Sequence, residues 1–183
     1  MTVAAESHSR DGAEPVAETG MEILLWILVW SELLVFGALL GAFLLLGALD
    51  PAALAALRET LHLPFAGAAT VALISSGFFA ARAAFGRQPR ANLGAAALGG
   101  LIFCALKVVA LSHELPPIAA MEGRLGELYM LIVGFHFVHV LFIAGLLLLV
   151  AVRPVPNHVA GATTIWHLID LVWLLILPVI YLG

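Results

Sequence analysis

Residues 21–47 read MEILLWILVWSELLVFGALLGAFLLLG. Past Glu22 at its edge, this stretch is apolar for more than twenty residues and carries one carboxylate, Glu32. At ~1.5 Å rise per residue it spans roughly 40 Å as a helix, enough to cross a ~30 Å hydrocarbon core with tilt. An ionised carboxylate facing lipid at that depth costs on the order of 3 kcal/mol or more. Neutralisation, a polar partner or an aqueous path removes that cost, so Glu32 is expected to point into a bundle.

Composition extends this reading to the whole chain. Of its 183 residues 63% are hydrophobic and 11% charged, and the mean hydropathy is +1.10. Soluble domains are nearer half apolar, so the class is an all-α integral membrane protein. The single cysteine, Cys104, lies within an apolar run, which excludes an internal disulfide and any multi-cysteine metal site. A net charge of −4 gives no electrostatic footprint for nucleic acid. Residues 1–20 are polar and acidic with no long apolar core, and read as a flexible polar tail rather than a signal peptide.

The rest, 21–183, reads as one membrane domain. Apolar runs at about 22–47, 65–86, 93–113, 127–152 and 164–182 predict a bundle of five transmembrane helices. Breakers separate them: Asp50-Pro51, Arg87 to Arg90 with Pro89, Pro116-Pro117, and Arg153-Pro154 with Pro156. One side of the membrane collects Arg10, Arg82, Arg87, Arg90 and Arg153; the other has Arg58 and Arg124. This asymmetry places the N-terminus in the cytoplasm and, after five spans, the C-terminus outside. PAALAALRETL, behind Asp50, has the start signal of a short helix in the loop 48–64. Gly37 and Gly41 form a GxxxG on the first helix, a candidate packing face, and Gly94, Gly99 and Gly100 line the third.

The informative polar side chains inside the spans are Glu32, Ser75, Ser76, Lys107, His136, His139, His167 and Asp170. Glu32 on the first helix and His139 on the fourth fall at similar depth. A carboxyl–imidazole pair there satisfies both groups in either protonation state, as a packing contact or as a place where a proton or lipid headgroup is handled. His136 and His139 share a helix face, and His167 and Asp170 repeat that spacing on the fifth helix. Such i,i+3 pairs hold metals, or line a polar interior. Counting from 164, His167 lies one turn into its helix and roughly 10 Å from His139 in depth, a poor match for two axial ligands of one haem. Lys107 is expected to snorkel outward toward His113 or Glu114. Ser75 and Ser76 are expected to bond to their own helix. Most tryptophans and tyrosines fall toward helix ends, as interfacial aromatics do. The chain has no plausible Ser–His–Asp set, phosphate-binding glycine loop or cysteine cluster, so no catalytic residue, metal ligand or cofactor ligand is assigned.

Three segments together resemble subunit III of the haem-copper oxidases (cytochrome c oxidase subunit III). Gly134–Val140, GFHFVHV, is similar to the family's G-F-H-x-x-H-V signature. Trp166–Leu182, WHLIDLVWLLILPVIYL, resembles its closing helix, and Ser31–Phe43, SELLVFGALLGAF, the helix with a carbodiimide-reactive glutamate, here Glu32. The resemblance covers nearly all of 21–183 and points to the five-helix form. Lys107 is similar to the NorE-type branch associated with nitric oxide reductases. Ser112-His113-Glu114 departs from the family's acid–aromatic pair, and Pro64-Phe65-Ala66 from its usual start of the second helix.

The resemblance implies a noncatalytic accessory subunit with no redox centre of its own, haem and copper being held by the catalytic subunit I beside it. It implies phospholipid in a cleft between helices one–two and the rest, support of assembly, sustained turnover and proton uptake, and a bacterial-type inner membrane. Glu32 and His139 would then be a structural or proton-related pair. Two other readings stand beside it. A small haem or metal electron carrier using His136, His139 and His167 requires two imidazoles to meet at one depth. A proton or ion carrier built on Glu32, Lys107 and Asp170 requires a continuous polar path.

Overall fold

The computed structural model describes residues 14–121 and 123–182. Its helices are α1 (Glu14–Leu49), α2 (Pro51–Thr60), α3 (Leu63–Ala84), α4 (Pro89–Ala119), α5 (Arg124–Val152) and α6 (Pro156–Leu177), followed by a π-helical turn, Pro178–Leu182. Pro178 has no N–H for the helical ladder, and the last turn widens there. Among the described residues, five helices are long and apolar enough to cross a membrane: Ile23–Leu49, Leu63–Ala84, Pro89–Ala119, Arg124–Val152 and Pro156–Leu182. The described residues contain no strand. The chain divides after Val35 into two compact units. Residues 1–13 of the expected tail lie outside the described residues, and residues 14–20 are helical.

The third and fifth spans extend well beyond the runs 93–113 and 164–182, for local reasons. α4 runs through Pro116 and Pro117 to Ala119; prolines this close to a helix end forfeit few ladder bonds. α6 starts at Pro156, with proline in the first turn. Polar residues at the edge of the 164–182 run are absorbed by the helix: Thr163 donates to Val159 O at 2.8 Å and Thr164 to Ala160 O at 2.9 Å. The short helix α2 is present, and the Asp50 carboxylate accepts from Ala53 N at 2.9 Å, a side-chain cap on an otherwise orphan N–H.

The core of the second unit, from Phe36 onward, is built on small residues. Ala66, Ala69, Ala80 and Ala83 of α3 are buried, as are Ala96 and Ala97 of α4. A Cβ on Gly99 would stand 3.1 Å from Ala72 O and nearer still to the Ser76 side chain. Such stripes let backbones approach in a medium that offers helices little hydrophobic drive to associate. Ser75 bonds back to Val71 O, as expected, but Ser76 donates across to Ala96 O at 2.6 Å, tying α3 to α4. Large side chains such as Ile74, Phe78, Leu101 and Phe142 are exposed, the inside-out distribution of helices meant for lipid.

Gly100 supports the largest close approach. The fully buried Trp166 ring lies on it, and an added Cβ would stand 3.0 Å from Cζ2 and closer to the ring tip. Gly100→Val should therefore destabilise the bundle by about 1–3 kcal/mol, the usual cost of overpacking; thermal unfolding in detergent measures it. Gly37 and Gly41 behave otherwise. A Cβ on either meets nothing within 4 Å, so the expected packing face makes no close contact within this unit.

Candidate functional site

The buried polar groups gather where α4, α5 and the π-helical turn meet. Lys107, on α4, is 1% exposed. The expectation that it snorkels to the surface is therefore corrected: its stem stays in the bundle, because a polar partner is within reach there. Its Nζ donates to Tyr181 Oη at 2.8 Å and lies 5.3 Å from the Trp173 ring centroid and 5.4 Å from that of Tyr181. Aromatic faces stabilise a cation where water is excluded.

The path continues beyond Tyr181. Its hydroxyl is 3.0 Å from that of Tyr129, which donates to Glu114 Oε2 at 2.5 Å. Glu114 is fully buried, and its Oε1 accepts from His62 N at 3.1 Å. The His62 imidazole, 45% exposed, has Nδ1 at 3.9 Å from that oxygen and lies against His113, ring centroids 5.8 Å apart. Three side-chain hydrogen bonds thus run unbroken from Lys107 to Glu114. The Arg58 guanidinium holds this end together, Nε donating to Ile180 O at 3.1 Å and Nη2 to Val179 O at 3.2 Å. A cation on the last carbonyls of a helix satisfies orphan acceptors and complements its dipole.

His136 sits beside this chain in an aromatic box. It is fully buried, stacked on Trp173 with centroids 5.4 Å apart, and edge-on to Phe103 at 5.6 Å and Phe36 at 6.1 Å. Neither of its ring nitrogens has a hydrogen-bond partner. His139, one turn on, is half-buried. Its Nδ1 lies 2.7 Å from Phe135 O, and because a carbonyl only accepts, Nδ1 carries a proton. Glu32 belongs to the other compact unit, so its pairing with His139 stays an expectation.

His167 and Asp170 share a face of α6, with Nδ1 and Oδ2 3.8 Å apart. They line a pocket of about 300 Å³ with Leu73, Ile74 and Gly77 of α3 and Leu171, Trp173 and Leu174 of α6. Gly77 makes room: a Cβ there would stand 2.6 Å from Asp170 Oδ2. Because α6 begins at Pro156, His167 lies about three turns into it rather than one. The depth gap inferred between His139 and His167 thereby narrows to roughly 5 Å. Among the described residues, no three His, Cys, Asp or Glu side chains are grouped to hold a metal.

Of the residues singled out in the sequence, Lys107 and His136 share one neighbourhood through Trp173, while His167 and Asp170 form a separate pair. Tyr129, Tyr181 and His62 were not assigned to a site, and Glu114 entered only as a surface group toward which Lys107 would reach. One signal for Glu114 was present: it lies seven residues after Lys107, two turns along one helix face. Reading Pro116-Pro117 as the end of the helix hid it.

No protein-family model matches the chain. It is similar to cytochrome c oxidase subunit 3 of Synechocystis sp., 27% identical over 194 residues that cover 97% of this chain and 80% of the relative.

Proposed function

We propose that this chain is a noncatalytic, subunit III-type partner in a respiratory haem-copper oxidase or a related nitric oxide reductase complex of a bacterial-type inner membrane. One observation carries the reading: similarity to an oxidase subunit 3 runs over 97% of the chain, and five helices suit a multi-pass membrane protein. Haem and copper belong to the catalytic subunit in this account, and the present chain contributes no redox centre. The arginine asymmetry supports a cytoplasmic N-terminus and an outer C-terminus. Lys107 favours the NorE-type branch.

The partner contact is assigned to the first helix. Gly37 and Gly41 are exposed with open space before them, and Leu44, Leu45 and Leu49 further along are exposed too. A small-residue notch flanked by leucines suits close docking of another membrane helix. Remaining apolar faces take phospholipid. Glu32 is assigned a role in the partner's proton supply. Glu32→Gln should leave assembly intact and lower sustained turnover by less than about tenfold, equivalent to ~1.4 kcal/mol of barrier. Steady-state turnover of the purified complex checks this, and loss of assembly in that variant would assign Glu32 to packing instead.

A further inference from the structure

Hydrogen positions along the buried chain follow from the groups themselves. Tyr129 has one hydroxyl hydrogen, and it goes to the Glu114 carboxylate. In the 3.0 Å contact between the two hydroxyls Tyr181 must then be the donor. Tyr181 oxygen in turn accepts from Lys107. Every donor points the same way, from Lys107 to Glu114, which is the arrangement a proton wire requires. At its far end the wire meets the surface of the chain at His62, 45% exposed, just before the first residue of α3, with the exposed His113 against it. At its near end Lys107 is enclosed by Trp173, Tyr181 and the bundle.

We propose that Lys107, Tyr181, Tyr129 and Glu114 form a proton-storage site that exchanges one proton with the aqueous surface at His62. In release, an N–H bond of the Lys107 ammonium and the O–H bonds of Tyr181 and Tyr129 break as O–H bonds form on Tyr181, Tyr129 and Glu114. The shift turns ammonium and carboxylate into neutral amine and carboxylic acid, with no heavy atom displaced and no change in electron count. The carboxyl group of Glu114 then turns, carrying the proton from the Oε2 side to the Oε1 side, and passes it to the His62 imidazole, whose Nδ1 is 3.9 Å from Oε1, a gap that ring rotation or a bridging water closes. Uptake is the reverse. Of the other charged or titratable groups near the wire, Arg58 is bound to Val179 O and Ile180 O, and His136 is stacked on Trp173.

A buried charge pair that merely ties helices together would show the same distances and differs in what exchanges. Lys107 is the sole lysine in the sequence, so lysine labelled with nitrogen-15 reports one side-chain site. The full-length chain in phospholipid vesicles is moved into deuterated water, and exchange at Lys107 Nζ is followed by solid-state NMR beside exchange of the Lys107 backbone amide. The proposal expects Nζ to exchange much faster than that amide. It also expects Tyr129→Phe to slow Nζ exchange by at least about tenfold, ~1.4 kcal/mol of barrier, while the Nζ signal stays in place. His62→Ala, which leaves the backbone N–H to Glu114 intact, should slow it as well. Exchange of Nζ only at the amide's rate overturns the proposal even if no variant folds. Equal rates in the parent chain and a folded Tyr129→Phe variant overturn it too. The inference concerns this chain alone and stands whatever complex it serves.

Discussion

Trp173→Ala should destabilise the chain by about 3–5 kcal/mol, the usual range for deleting a buried tryptophan. Trp173 is fully buried and meets the polar side chains of Thr70, His136 and Lys107. Its Nε1 donates to Thr70 Oγ1 at 2.8 Å, binding α6 to α3. One neighbour is the His136 ring, another is Phe103 at 4.9 Å between centroids, and Lys107 lies over its face. Alanine leaves a cavity, removes the aromatic partner of a buried ammonium and strands the Thr70 hydroxyl's acceptor role. Trp173→Phe keeps most of the volume and loses the indole N–H, so it should recover more than half of the deficit. Unfolding midpoints in a denaturing detergent titration measure both variants. A Trp173→Ala protein as stable as the parent would show that this junction is not part of the core.

Glu114→Ala should have an effect of similar size, about 3–5 kcal/mol, because removing one member of a buried charge pair leaves the other uncompensated. Lys107 is 1% exposed and keeps only Tyr181 as a hydrogen-bond partner. Tyr129 loses its acceptor and the His62 N–H its side-chain oxygen. The diagnostic result is the double variant Lys107→Met, Glu114→Ala. If the two charges compensate each other through the tyrosines, the pair of substitutions should cost clearly less than the sum of the single ones. Strict additivity would mean that the two residues do not communicate. Stability of all three variants in one detergent supplies the cycle.

The spans were legible because lipid imposes a simple rule: each needs a long apolar run with its backbone bonds satisfied internally. The five observed helices follow the five runs, and Asp50-Pro51 marked the start of α2. Polar residues that a helix can absorb blurred the boundaries. Pro156, read as part of a break, hid the first two turns of α6, and Pro116-Pro117 hid the end of α4. The site was less legible because it depends on which faces meet. Lys107, seen alone, had an ordinary route to the surface. Only packing shows that Tyr181 and Tyr129, from two other helices, place hydroxyls in a line between it and Glu114. GxxxG at Gly37 and Gly41 was visible, but within its unit the tight backbone approach fell to Gly99 and Gly100. A motif for close contact does not specify the neighbour.

The central claim is that this chain works beside a haem-bearing partner. Its most direct test is a mild-detergent pull-down of the tagged protein from its native membrane, read by a reduced-minus-oxidised absorbance spectrum and repeated on the chain released from its partners. The account predicts haem absorption in the pull-down, none in the released chain, and an oxidase or nitric oxide reductase catalytic subunit among the captured proteins. Haem retained by the released chain and lost on replacing His139 or His167 would contradict it and identify an electron carrier. So would a pull-down without haem, which would leave a membrane protein acting apart from any such complex.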